Sequence, residues 1–411
     1  MADVKPFVCS RPCAELAREV AALPYDVFSR AEAAAEIATH PHSFLRIDKS
    51  CALLPDVEEY DPRVYALAAE LLAADTAAGI YEQEAEPYFF LYRLVKDGRA
   101  QTGIVARVSI DDYRRGVIKR HENTRAHKRG DRIKHLQALG AQTGPVFIAY
   151  QAHKALDDVV AARIADERPH PDSLPLYDFT APDGVRHTVW RVDDPKCATS
   201  IEESFAQLDA LYIADGHHRA AAAVELDRSG YFLAVLFPAN QLNILGYNRV
   251  VSDLFGQTVE QLLARIGEHF ELSHVGGGDE PYTPRHSYEF GMYLDGGWYR
   301  LEAKPELRGE VAGDPVAALG VSVLHDSLLQ PLLGIDDPRS SARISYVGGV
   351  RGLDELARRV EALPAPGGVA FSLFPTTLDE LFAVADAGML MPPKSTWFEP
   401  KPRSGLFINR I

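Results

Sequence analysis

Apolar and polar positions alternate along three segments of the chain, each broken by a sharp turn. Residues 88–108 (YFFLYRLVKDGRAQTGIVARV) turn on Asp97-Gly98, residues 176–192 (LYDFTAPDGVRHTVWRV) on Asp183-Gly184, and residues 287–301 on Asp295-Gly296-Gly297. Asp-Gly between runs of β-branched and aromatic residues is the strongest short-range hairpin signal. Hairpins pair antiparallel strands, so a purely doubly wound parallel sheet is excluded. Between them the apolar period lengthens to that of a helix over 30–39, 62–78, 132–139, 259–270, 321–333, 353–363 and 377–387. The mixture predicts an α+β fold with mixed, largely antiparallel sheets. Turn-rich stretches at 167–175, 274–286 and 363–368 are candidate boundaries.

Length and composition narrow the class. A chain of 411 residues divides into two or three units at roughly 150 residues each. Apolar residues make up 46% and charged residues 25%, which excludes a fibrous or disordered chain. No run approaches the roughly 18 apolar residues of a membrane span, and charges interrupt the N-terminus where an export signal needs an apolar core. The expected compartment is the cytoplasm, with no membrane partner. Cys9, Cys13, Cys51 and Cys197 are too few and too scattered for a disulfide scaffold. A formal charge of −15 repels long polyanions, which argues against a general nucleic-acid binder.

Several near-motifs fail on chemistry. Residues 388–395 have the spacing of a phosphate loop, but Pro392 and Pro393 lack the N–H donors such a loop needs. His121-Glu122-Asn123-Thr124-Arg125 begins like a zinc-protease helix, yet the second ligand position holds Arg125, which cannot bind zinc. Cys9 and Cys13 lack a second pair for structural zinc. No metal-ligand set is assigned.

Two motifs survive. In LYIADGHHRAAAAVEL (211–226), four apolar residues form a strand, Asp215-Gly216 turns sharply, and an alanine-rich helix starts at once. The N-terminus of a helix carries about half a positive charge and several unpaired N–H groups, so it can hold an anion. Arg219 adds a planar fork suited to phosphate oxygens. The plainer alternative is a helix capped by Asp215 with two solvated histidines, His217 and His218. The second motif, 114–135 (RRGVIKRHENTRAHKRGDRIKH), packs nine Lys or Arg around Glu122 and Asp131. Such a run either binds an anion or forms a solvated face. Glu122 is then an ion-pair partner, or else a carboxylate set to accept a proton while its neighbours hold phosphates.

Together PYDV (24–27), FLRI (44–47), KRHENT (119–124), DRIKHLQALGAQTGPVF (131–147), IADGHHRAAA (213–222) and MPPKSTWFEPKPRSGL (391–406) resemble the domain of unknown function 1015 family over nearly the whole chain. The core motifs also resemble the free serine kinases of the ParB/sulfiredoxin-like superfamily. Those enzymes pair a Lys-Pro-His-Glu loop, matched here by His121 and Glu122, with a strand–DGHHR–helix unit, matched by Asp215 to Arg219. The resemblance implies that Glu122 is the catalytic base, aided by His121, and that Gly216, His217, His218 and Arg219 hold nucleotide phosphates. It further implies a nucleotide-binding core at 111–256, flanked by an N-terminal α/β region (1–110) and a C-terminal α+β region (257–411). Arg120 stands where those kinases have proline, so serine itself is not implied as acceptor.

The resulting expectation is a nucleotide-dependent phosphotransferase for a small hydroxylated metabolite, using ADP, ATP or CTP with Mg2+. Asp26 and Arg120 are expected near the pocket, Asp26 either lining it or acting as a buried turn carboxylate. Asp215 is expected to cap the helix or assist the metal. The rival expectation is a non-catalytic nucleotide-binding regulatory module.

Overall fold

Asp97 and Gly98 take φ of 49° and 76°, and Asp295 and Gly296 take 50° and 73°. These paired left-handed residues close two of the predicted hairpins, Phe89–Lys96 with Arg99–Ser109 and Glu289–Leu294 with Gly297–Ala303. The third hairpin joins Tyr177–Thr180 to Arg186–Val192. A computed structural model describes residues 1–165, 174–277, 280–364 and 367–411. In it the chain is α+β and separates into two units. The first comprises Met1–Arg120, Thr124–Leu242 and Pro400–Ile411, and the second His121–Asn123 and Asn243–Glu399. The boundaries expected at 110/111 and 256/257 do not coincide with these units, because strands from both sides of residue 110 share one sheet. The candidate boundary at 167–175 lies almost wholly outside the described residues, as do positions 278–279 and 365–366 of the other two.

The first unit is built on a mixed sheet in the order Ile118–Lys119, Leu211–Asp215, Val146–Tyr150, Tyr231–Pro238, Arg99–Ser109, Phe89–Lys96, Arg186–Val192 and Tyr177–Thr180, with Val4–Lys5 paired to Arg99–Ser109. Tyr231–Pro238 (YFLAVLFP) reads as one continuous apolar run because it lies mid-sheet, buried from Phe232 onward. Two pairings are parallel, Leu211–Asp215 with Ile118–Lys119 and Tyr231–Pro238 with Val146–Tyr150. The strand expected at 211–214 is therefore interior, second from one edge. The helix His217–Leu226 follows it, with Ala220 and Ala222 fully buried against the sheet. Ile213, Ile148, Leu236, Ile104, Leu91 and Phe205 form the core beneath. The C-terminal Ile408–Arg410 returns to this unit and pairs with both Cys9–Pro12 and Ala141–Gln142.

The second unit carries a six-stranded antiparallel sheet, ordered Phe270–Gly277, Gly297–Ala303, Glu289–Leu294, Val369–Leu373, Tyr247–Val251 and Ile344–Gly348. Trp298, Tyr293, Val250, Leu356 and Val360 fill its core.

Helix limits follow capping chemistry. Arg30–Thr39, Val259–His269 and Leu378–Asp386 each begin after a Ser or Thr capping box, at Ser29, Thr258 and Thr377. The helix expected from 132 starts earlier, at Ala126, because its first turns (AHKRGD) are polar and show no apolar period. Ile110–Arg115, Lys154–Ile164 and Pro195–Phe205 were not anticipated, although Asp194 and Pro195 are the cap and first residue of a legible start. Among the described residues no helix is long and apolar enough to cross a membrane, and all four cysteines are free.

Candidate functional site

The strand Leu211–Asp215 ends at Gly216, whose φ is +93°. A side chain at that position would meet strain and also the Arg219 guanidinium, which lies 2.9–3.0 Å from where a Cβ would stand. Gly216, not Asp215, occupies the cap position of the helix His217–Leu226, and no side chain caps it. The N–H groups of His217, His218 and Arg219 thus have no intrahelical acceptor.

This corrects the expected role of Asp215. Its carboxylate is spent elsewhere, Oδ1 on Lys401 at 3.2 Å and Oδ2 on Arg219 at 3.0 Å. Burial alone would push the Asp215 carboxyl up, but Lys401 and Arg219, with His217, hold it well below the usual carboxylate range. With both oxygens held by cations, Asp215 does not fit a metal ligand.

Arg219 is likewise engaged. Besides Asp215, its guanidinium donates 2.6 Å to the Pro145 carbonyl and packs beside Gly144. It is a latch between the turn after Leu211–Asp215 and the start of Val146–Tyr150, with two of its five N–H groups committed to protein acceptors.

His217 is buried and His218 half-buried. The backbone N–H of Arg125 donates to His218 Nε2 at 3.0 Å, so the neutral ring carries its proton on Nδ1, as a donor. Burial lowers the His218 pKa, Asp26 opposes that, and Arg125, Lys128 and His127 add to the lowering. Asp26 is therefore an exposed carboxylate acting on His218, not a buried turn group.

The basic segment divides in two. Arg114 pairs with Asp227, Arg115 with Asp112 and Arg129 with Glu225. Arg120 is exposed, 5.2 Å from the Tyr113 ring centroid. Arg125 instead donates its backbone N–H to His218, and Lys128 lies 5.8 Å from the Tyr60 ring centroid. The ion-paired reading holds for Arg114, Arg115 and Arg129.

Glu122 and His121 belong to the second unit. There the His121 carbonyl accepts from Met391 N–H at 2.8 Å, and His121 Nε2 lies 3.5 Å from Thr396 Oγ1. His121 is buried and holds its segment in place, while Glu122 is half-buried. The first-unit residues flanking the segment are anchored at the motif: Lys119 pairs with Tyr212, and Arg125 bonds His218.

Sequence reasoning missed a polar network behind Arg219. Arg132 lies 3.9 Å from the Tyr25 ring centroid and pairs with Asp131, which accepts from Tyr65 Oη at 2.9 Å. Thr143 Oγ1 donates to Asp48 at 3.0 Å, and His135 Nε2 meets the Ile47 carbonyl at 3.1 Å. Burial, with the Arg132 charge next, pushes His135 down to about 4. Tyr25, Asp48, Arg132, His135, Thr143 and Arg219 line a cavity of about 30 Å³, enough for water and no more. The one available signal was Asp131-Arg132 with His135 on a single helix face.

Among the described residues one grouping has metal-type spacing, His286, Glu289 and Glu302. Its carboxylates are taken up by Arg285, Arg300 and Arg308. A resident Mg2+ does not fit here or at Asp215, because cations already hold these carboxylates.

These elements define an α+β protein built around a strand–glycine–helix turn with an uncapped helix start. A family model described as "Protein of unknown function (DUF1015)" matches residues 4–322, and the chain belongs to that family. Among solved structures it is similar to a free serine kinase variant in complex with ADP, at 14% identity and a TM-score of 0.34, covering 72% of this chain and 87% of that one. A conserved hypothetical protein from Pyrococcus furiosus gives 14% and 0.34, covering 73% and 93%. SbnI with a C-terminal truncation, from Staphylococcus aureus, gives 12% and 0.37, covering 74% and 87%. No curated protein matches the chain.

Proposed function

We propose that the protein is a nucleotide-dependent phosphotransferase acting on a small hydroxylated molecule. The observation that carries this reading is the uncapped start of His217–Leu226, where His218 accepts from the Arg125 N–H and feels the charges of Arg125, Lys128 and His127. Its N–H groups and dipole favour an anion, and the neutral His218 offers a further donor. Lys401 and Arg219 neutralise Asp215, so that carboxylate does not repel phosphate. In this reading the helix start holds the donor phosphates, and Mg2+ arrives on them.

The transfer itself asks little covalent chemistry of the protein. The acceptor hydroxyl attacks the terminal phosphorus, the bond from that phosphorus to the leaving nucleotide oxygen breaks, and Glu122 takes the hydroxyl proton. His121, buried and fixed by Met391, is a positioning residue for Glu122. Arg219 shapes the turn through Asp215 and Pro145.

The test is a thermal-shift screen of ADP, ATP and CTP with Mg2+, followed by nucleotide consumption with and without hydroxylated acceptors. Ligand at 100 times Kd adds about 2.7 kcal/mol of stability. Consumption that needs an acceptor supports transfer. Binding with no consumption under any acceptor favours a regulatory nucleotide module, and no binding defeats both.

A further inference from the structure

Residues 320–333 of the second unit, where one helix was expected over 321–333, change winding midway. Gly320–Leu324 and Gln330–Leu333 are α-helical, and His325–Leu329 is a π-helical turn. Pro331 has no N–H for the carbonyl four residues back, which interrupts the regular ladder next to that turn. Turns of this kind inside helices concentrate at functional sites. Here the turn sends His325 and Leu329 to the wall of a cavity of about 240 Å³, shared with Arg249, Arg339, Tyr346 and Pro393. That is below the roughly 300–1,000 Å³ of drug-sized pockets, so its occupant is small.

Arg249 is the group that asks for one. It lies on the interior strand Tyr247–Val251 and is 4% exposed. Its guanidinium donates to the carbonyls of Tyr247 and, at 3.0 Å, Lys394, and sits 5.4 Å from the Tyr346 ring centroid. Among the described residues no carboxylate pairs with it. Burying a charge without a counter-charge is costly, and two committed N–H groups leave three others. Burial lowers its pKa to about 10, so it remains charged at neutral pH. His325 Nδ1 is buried without a hydrogen-bond partner. At the rim the exposed Arg339 stands with the exposed Asp337, whose charge offsets its own, so the net positive charge of the cavity is that of the buried Arg249.

We infer that this cavity binds a small oxyanion-bearing metabolite, its carboxylate held by Arg249 and His325 with Arg339 at the mouth. One wall also carries a link to the proposed chemistry. Pro393 lies on the same short segment whose Met391 N–H holds the His121 carbonyl and whose Lys394 carbonyl holds Arg249. Resting on the phosphotransferase reading, the cavity then holds the anionic end of the acceptor, beside the segment that carries Glu122.

The test is calorimetric titration of the full-length protein with glycerate, lactate and inorganic phosphate, with glycerol as uncharged control. Glycerate and lactate should bind and glycerol should not. Arg249→Met should weaken glycerate binding at least tenfold while leaving ADP affinity unchanged. Arg339→Glu, at an exposed position, should weaken it several-fold, and decides the matter if Arg249→Met does not fold. Equal binding of glycerol, or glycerate binding unchanged in the folded variants, overturns the inference. So does phosphate binding that ignores Arg249 with no carboxylate binding, since that places the anion elsewhere. ADP binding without glycerate binding removes this site alone, whereas glycerate binding without ADP binding removes the phosphotransferase reading alone.

Discussion

Lys401 Nζ stands 3.2 Å from Asp215 Oδ1, although the chain runs through nearly all of the second unit between them. With Arg219 on the other oxygen, this pair fixes the carboxylate at the foot of the glycine turn. Lys401→Met should therefore cost about 1.5–3 kcal/mol, the range for a hydrogen bond to a charged group, as read by urea denaturation at pH 7. The Asp215 carboxyl is held below its unfolded value, so its contribution is complete above the ordinary carboxylate range and fades as pH falls through the folded pKa. The difference between variant and wild type should accordingly be largest near neutrality and shrink in acid. A difference that grows on acidification would contradict the pairing.

Gly216 meets two demands and Gly98 one. Both have positive φ, +93° and +76°, but only at Gly216 would a Cβ strike another group, the Arg219 guanidinium. Gly98→Ala should cost only the roughly 1–2 kcal/mol of a left-handed L-residue and leave nucleotide binding intact. Gly216→Ala must also displace the latch, so nucleotide affinity should fall at least tenfold. Equal effects of the two substitutions on binding would remove Arg219 from any role in shaping the turn.

His218 should be neutral at pH 7, with its proton on Nδ1. Its folded pKa lies below 6.5, so between those two values the unfolded chain binds more protons and stability falls as pH drops. Nitrogen chemical shifts of the imidazole should show an unprotonated Nε2 that titrates below 6.5, and His218→Gln should flatten the stability loss in that interval. A proton found on Nε2 at pH 7 would be incompatible with the Arg125 hydrogen bond.

What the sequence disclosed was local. Period and turn chemistry placed the Arg30–Thr39 helix and the Asp97-Gly98 hairpin, because neighbours along the chain determine both. The strand–DGHHR–helix unit was legible for the same reason. Long-range partnerships were not. Nothing near Lys401 announces Asp215, and Arg219 reads as an open phosphate fork until Pro145 and Asp215 are seen to occupy it. Arg249 gave no signal at all: an arginine in a strand reads as solvent-facing, and only the sheet order shows it to be interior.

Catalysis separates from binding at Glu122 and Arg219. A general base works in the transition state and is typically worth about 10²–10⁴-fold in rate. Glu122→Gln should therefore keep nucleotide affinity within a few-fold yet remove most turnover of the acceptor that supports consumption. A small gain in affinity from losing one negative charge beside phosphates fits the same account. Arg219 acts before the transition state by holding the turn through Asp215 and Pro145, so Arg219→Ala should lose affinity rather than turnover at saturation. Affinity should fall at least tenfold, as for Gly216→Ala, because the same latch on the turn is lost. Calorimetry of both variants beside the wild type, with phosphoryl transfer assayed in parallel, gives the two numbers. Full turnover in Glu122→Gln would end its role as base, and unchanged binding in Arg219→Ala would leave the DGHHR turn a structural feature alone.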